Sequence, residues 1–421
     1  MMAGQMPDIM ILEGQPFYAM AESGFLADFY QIIDNHPTLS RDDFFGQVLE
    51  AFEFNDGLYA MPLNFGFEYI GINAGLPESA VNRFAQHSGI SLSQMLELYL
   101  DIINNYPQYS HLQFGPYFEL GRIIQFEMST HINMVHRTSS LANGEFALFL
   151  EMLAEARRLH PSNFTLRLED DGMPLFMLHH PIHLEALAGQ YVFANHRHHL
   201  DILVALLDYE APIFTHYVPL TDGMGRLKID HGPWSRRATE GYMTVNQLQY
   251  SSTFATVIVS SNADLDLAWR MVERLIAFVA IEPDLYSGVP SGSIGRRCLS
   301  TPIMPTFFDA HYANYMSALF RLFTSNFTDR TPAFFADINL QPTVGGRLVY
   351  NRDELTPAGY AQIEHMKARI LGYTQMPMTI PLFYLPPAVY EAPIEQFMLG
   401  LITAQAAAQE IHNRVSLWLI E

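Results

Sequence analysis

The chain has 421 residues, 49% of them hydrophobic, and 23 basic side chains face 44 acidic ones for a net charge of −21. The length suits two or three folding units, the apolar share excludes disorder, and the negative field argues against nucleic acid or an anionic membrane surface as the main partner. Cys298 is the only cysteine, which excludes an intrachain disulfide and a cysteine-based metal site.

Ala3 to Asp8 reads as a helix tail and a turn, and Ile9 to Leu12 as a buried strand. A domain seldom begins on the tail of a helix, so the chain is expected to be an N-terminally shortened form of a longer protein. No basic stretch followed by an apolar one opens it as a signal peptide would. No apolar run approaches the ~20 residues that span a bilayer. Asp42 to Phe52 is predicted helical from the spacing of Phe44, Phe45, Val48, Leu49 and Phe52. Asn55-Asp56-Gly57 is predicted to be a turn, with Gly57 supplying the positive φ. Leu58 to Met61 alternates as a short strand, which Pro62 must end because it has no N–H for the ladder. A loop at Leu63 to Gly66 and a second strand ending in Asn73 follow.

Ser91 to Asn104 is a helix that Ser91 caps with Gln94 three residues on. Asn143 to Arg158 is another. Pro174 to Leu178 reads as a strand entering the His179-His180-Pro181 corner, and Asp201 to Leu207 as a helix. Ile213 to Val218 is a strand, and Thr221 to Gly225 a turn. Thr253 to Ser260 is a β-branched, buried strand. Ser261 to Val279 is a helix with Ala268, Met271, Val272, Leu275 and Ile276 on one stripe. A single helix is predicted from Pro393 to Trp418. This alternation gives the class α/β, with mostly parallel or mixed sheets.

Four landmarks then fall in one order. They are Ala3-Gly4-Gln5-Met6-Pro7-Asp8-Ile9, then Asp56-Gly57-Leu58-Tyr59-Ala60-Met61-Pro62 with Gly71-Ile72-Asn73. Ser261-Asn262 with Ala268-Trp269-Arg270-Met271-Val272 comes next, and Gly400-Leu401-Ile402-Thr403 with Ala406-Ala407-Ala408 closes the series. In this order the chain resembles the extracellular solute-binding proteins, family 1 or sugar-binding type, of ABC importers. The resemblance implies a two-lobed, periplasmic-binding-protein-like (type II) fold. Each lobe would be a mixed sheet flanked by helices, with a hinge and a central ligand cleft. The expected division is 1–104 for the first lobe, 105–245 for the second, 246–300 for the return to the first, and 301–421 for the C-terminal helical part of the second. The family's export signal, lipid-anchored cysteine and first strands would precede Met1.

The resemblance also implies binding without catalysis, and therefore no catalytic residues and no cofactor. The partners it implies are a small polar solute, most simply a saccharide, and membrane permease subunits, with the protein itself a monomer. The location it implies is extracellular or periplasmic. Cleft contacts are expected from Asn64, Phe65 and Phe67, from His179 and His180, and from Trp234 and Tyr242 in one polar loop. Aromatic faces stack on sugar C–H surfaces, and Asn or His bonds hydroxyls. Against this stands packing: a hinge loop buried on its neighbours, imidazoles capping a strand end, a hairpin tip. Phe383, Tyr384 and Tyr390 are weaker candidates of the same kind. His196, His198, His199 and Asp201 cluster without a compact metal motif, and a solvated helix start explains them without a metal. The alternatives are a carbohydrate-active enzyme using two of Glu13, Glu50 and Glu68 as facing carboxylates, and a degenerate relative with no transport role.

Overall fold

The computed structural model describes residues 6–13, 17–115, 120–161, 189–196, 214–228, 255–281, 301–307, 340–342, 348–350, 368, 372–373, 378–379 and 385–420. Strand Ile9–Glu13 runs antiparallel to Ala255–Val259, and Met61–Pro62 pairs on the other side of that strand. The β-branched Ala255–Val259 segment is therefore the centre of the sheet, as its buried Val257, Ile258 and Val259 require. Helix Leu265–Ile281 packs beside it and buries Ala268, Trp269, Val272, Leu275 and Ile276. It starts four residues later than predicted. Ser261 is held by Phe25 and Gly24 (N–H to O 2.9 Å, Oγ to O 2.8 Å), and Asp264 caps instead, accepting from Leu267 N at 3.1 Å.

A second three-stranded sheet orders Phe214–Pro219, Tyr69–Asn73 and Phe193–His196, all antiparallel. Parallel pairing occurs at Leu227–Lys228 with Met378–Thr379 and in single bridges such as Ile90 with Leu220. Among the described strands both three-stranded sheets are antiparallel throughout, and parallel pairing is confined to that two-stranded ladder and to single bridges. Helices Leu92–Asn105, Leu120–Thr130, Glu145–Leu159, Pro387–Met398 and Ala404–Ile420 cover one face of the second sheet.

The buried side chains form two cores. The first gathers residues from Met10 to Tyr69, then Val257 to Ile276 and Ile303. The second gathers Ile70 to Ala156 and Leu385 to Leu419. Residues 70–104 therefore pack in the second core, although the sequence reading placed them in the first lobe. The strand Tyr69–Asn73 is buried at every position. Ile70 and Ile72 point into the second core, and Tyr69 faces the first.

Three local readings change. Asp42 to Phe52 is a 3-10 turn, Arg41–Asp43, and a short helix, Gly46–Glu50. The hairpin after it closes on Phe54 and Gly57, so the left-handed residues are Asn55 (φ 49°) and Asp56 (φ 64°), not Gly57. A two-residue hairpin loop needs positive φ at both central positions. The long C-terminal helix is two helices. Gly400 (φ 72°) ends the first, with its N–H on Phe397 O and the Leu401 N–H on Gln396 O, and Thr403 Oγ1 caps the next by accepting from Ala406 N.

Candidate functional site

Chain direction changes hands between the cores over residues 61–69. After Pro62 the chain does not form the predicted loop. Asn64–Phe65 is a short strand paired antiparallel with Thr301–Pro302. Both side chains are buried, Asn64 with 7% exposure. Phe65 sets its ring edge-on against Phe45, with centroids 5.4 Å apart, so it packs inside the first core. Phe67 is also buried and lies against Tyr69 (4.9 Å) and Tyr373 (6.2 Å), while Tyr69 and Tyr373 meet at 5.5 Å. Three rings thus converge at the junction of the cores.

The strand Phe214–Pro219 passes the same place with a bulge. Thr215 pairs with Ile72 and Val218 with Ile70, so His216 and Tyr217 together oppose Gly71. His216 is left-handed at φ 53°. The bulge reverses which side of the strand each residue faces: Phe214 and Tyr217, three apart, both join the first core, and Val218 joins the second. The Tyr217 ring lies on the backbone of Gly71, where a Cβ would come within 2.4 Å of Cε1. No residue but glycine admits that approach without moving the ring. The Tyr373 hydroxyl donates to Tyr217 O at 3.4 Å.

Beside this bulge lies an open groove of about 450 Å³, walled by His87 and Ser88 on one side, Val218 and Tyr217 on the strand, His216 at the bulge, and Tyr373 opposite. Val218 belongs to the second core, and Tyr217 and Tyr373 pack against the first. None of the described lining residues carries a carboxylate, ammonium or guanidinium group. Such a surface offers ring faces, a hydroxyl and imidazoles, which suits a neutral polar ligand.

Of the predicted contacts, Asn64, Phe65 and Phe67 lie at this junction. His179, His180, Trp234 and Tyr242 fall outside the described residues, as do Phe383, Tyr384, His198, His199 and Asp201. Tyr390 is buried in the second core, its hydroxyl accepting from Gln125 Nε2 at 2.6 Å. Among the described residues no group of three or more His, Cys, Asp or Glu side chains is placed to hold a metal. Glu68 is buried at the crossing and Glu50 is exposed at a helix end, so the two carboxylates occupy different surroundings. The sequence reading missed His87, Ser88, His216, Tyr217 and Tyr373. One signal was available: an isolated glycine inside a strand, Gly71, marks a close approach. The bulge had none, because Phe214-Thr215-His216-Tyr217-Val218 reads as a regular strand. Among the described residues no helix is long and apolar enough to cross a membrane.

No protein-family model matches the chain, and no curated protein does. Solved structures do. UspC from M. tuberculosis shares 12% identity at a TM-score of 0.51, with 99% of this chain and 87% of that one covered. The sugar-binding protein MalE from Xanthomonas citri shares 11% at 0.50, with 99% and 84% covered. The likeness runs the length of the chain, and it agrees with two cores joined by crossing strands. The chain has the two-lobed α/β fold of the periplasmic binding proteins.

Proposed function

We propose that this chain is the extracellular or periplasmic solute-capturing component of an ABC importer. It takes a small neutral polar solute, a carbohydrate, into the groove between its cores and delivers it unaltered to a membrane permease. The observation that carries this reading is the groove itself: aromatic faces, imidazoles and a hydroxyl, without charge among the described lining residues, at the seam between two cores. MalE, which shares the fold, is a sugar-binding protein by its own description. Membrane tethering and a monomeric state belong to the same reading.

The lobes part at the seam, the first holding residues 6–13 and 17–67 with the return segments 255–281 and 301–303, the second residues 70–115 and 120–161 with the C-terminal helices. Residues 61–69 serve as hinge. A solute closes the lobes only by binding the closed form better than the open one; moving the balance from 1:99 to 99:1 takes about 5.5 kcal/mol of differential affinity. Phe67, packed against Tyr373, and Asn64 are carried as solute contacts of the closed form, and Phe65 anchors the hinge through Phe45. His179, His180, Trp234 and Tyr242 are carried as further solute contacts.

Calorimetric titration with mono-, di- and oligosaccharides tests the reading, with a dipeptide and an anionic solute as controls. Saturable heat with at least one saccharide and none with the anion is expected. Silence across the saccharides, or chemical change in the solute recovered afterwards, overturns it.

A further inference from the structure

The geometry points to His216 as a specificity-determining residue of the groove, held in place by the left-handed bulge and reading a hydroxyl of a neutral solute. The inference rests on the capture reading above and deepens it.

The bulge sets two residues against Gly71, and they do different things. Tyr217 turns inward over Gly71 and becomes a fixed wall, its carbonyl tied to the Tyr373 hydroxyl. His216 turns outward, exposed, into the space that His87, Ser88 and Tyr373 share. Its φ of 53° is one that an L-residue adopts against steric resistance and glycine adopts freely. Such strain persists where the surroundings hold it, and it gathers at ligand-contacting positions. A glycine here would fold the bulge with less strain, but it would leave the groove without an imidazole at its lip. Neutral imidazole offers one donor and one acceptor, matching the two roles of a hydroxyl. The absence of formal charge among the described lining residues points the same way.

The test compares the full chain with His216→Gly and His216→Asn, using glucose, maltose and trehalose as probes in calorimetry and thermal melts. Asparagine tolerates the left-handed backbone and keeps a donor and an acceptor, but its amide ends where the imidazole's Nδ1 lies and falls short of the reach of Nε2. His216→Gly is expected to melt within about 2 °C of wild type, relief of the left-handed strain offsetting the freedom that glycine adds to the unfolded chain. Both variants are expected to bind the recognised sugar at least about fivefold more weakly, the worth of one good hydrogen bond. A smaller loss than that in either variant overturns the assignment and leaves the capture reading standing. A melting point for His216→Gly lower by more than about 4 °C also overturns it, because no relief of backbone strain would then offset glycine's cost. If wild type gives no heat with any of the three sugars, the assignment falls together with the capture of small neutral sugars.

Discussion

Around the central strand Ala255–Val259, the first core is put together from short pieces distant in sequence: Ile9–Glu13, helices Tyr18–Glu22, Phe29–Asp34 and Gly46–Glu50, and the two-residue strand Met61–Pro62. Among the described residues only helix Leu265–Ile281 there is long. The second core rests on helices of 11 to 17 residues, among them Leu120–Thr130, Glu145–Leu159 and Ala404–Ile420. Long helices carry their own periodic stripe and end signals, so local sequence specifies them. Five-residue helices lie far below the length at which a helix holds itself in water, so the first core must hold them by packing. The first core is accordingly ring-rich at its contacts. Phe29 meets Trp269 edge-on at 6.4 Å, and Arg41 lies over the Tyr30 ring at 3.7 Å while pairing with Asp34.

Truncating one ring in each core gives the sharpest test of that difference. Phe29→Ala and Phe149→Ala each remove a side chain with no exposed surface, and each should cost about 3–5 kcal/mol in denaturant unfolding. Amide exchange should separate them. Phe29→Ala speeds exchange in Ala255–Val259, and Phe149→Ala speeds it in Leu92–Asn105. Equal acceleration everywhere from either variant would mean that the two cores open as one.

A polar counterpart sits in the turn after the bulged strand. Asp222 is 2% exposed and accepts from Met224 N and Arg226 N at 2.9 Å and from Arg226 Nε at 2.7 Å. Asp222→Ala removes three hydrogen bonds to a buried carboxylate and should cost about 1.5–3 kcal/mol. Arg226→Ala should cost less, because its own side chain is more than a third exposed and solvent screens the pair. The opposite ranking would show that the charge pair matters more than the turn.

Helix caps in the second core should matter less than its rings. Ser91 accepts from Gln94 N at 3.3 Å, and Gln94 Oε1 accepts from Ser91 N at 2.9 Å. Ser91→Ala should lower stability by about 1 kcal/mol, with the loss confined to exchange in Leu92–Asn105. The smallest effect at ordinary pH concerns phenols in both cores. Burial pushes Tyr18 and Tyr99 well above the usual range, and burial followed by the hydrogen bond to Glu53 does the same for Tyr30. The folded state then keeps protons that the unfolded chain loses near pH ~10. Their stabilisation is complete below that value and declines as pH rises through it. Melting temperature should fall steadily above pH ~10, and Tyr99→Phe should blunt the fall.

These contrasts also mark what the sequence reveals. Ser91 and Gln94 announced a helix that the structure bounds within one residue, Leu92–Asn105. Leu58 to Met61, expected as one strand that Pro62 ends, is instead split between Gly57–Leu58 and Met61–Pro62 in two different sheets, with Pro62 paired to Thr256. The four ordered landmarks pointed to the overall fold. The groove was far less legible. Its walls come from residues near 87, 217 and 373, and only tertiary packing brings them together. Phe65 illustrates the limit: its type and position suit a ligand contact, but Phe45, twenty residues earlier, claims its face. The lobe boundary was misplaced for a related reason. Tyr69-Ile70-Gly71-Ile72-Asn73 reads as one strand, and nothing local says that its two sides serve different cores.

That double-sided strand has a consequence for the halves taken separately. Freed of the first core, the second would meet water with Tyr69, Tyr217 and Phe214 stripped of their cover; the first, keeping that strand, would carry Ile70 and Ile72 bare. Either fragment would bear a naked apolar sheet and cling to its own kind. The molecule is bilobal in shape but indivisible in the making.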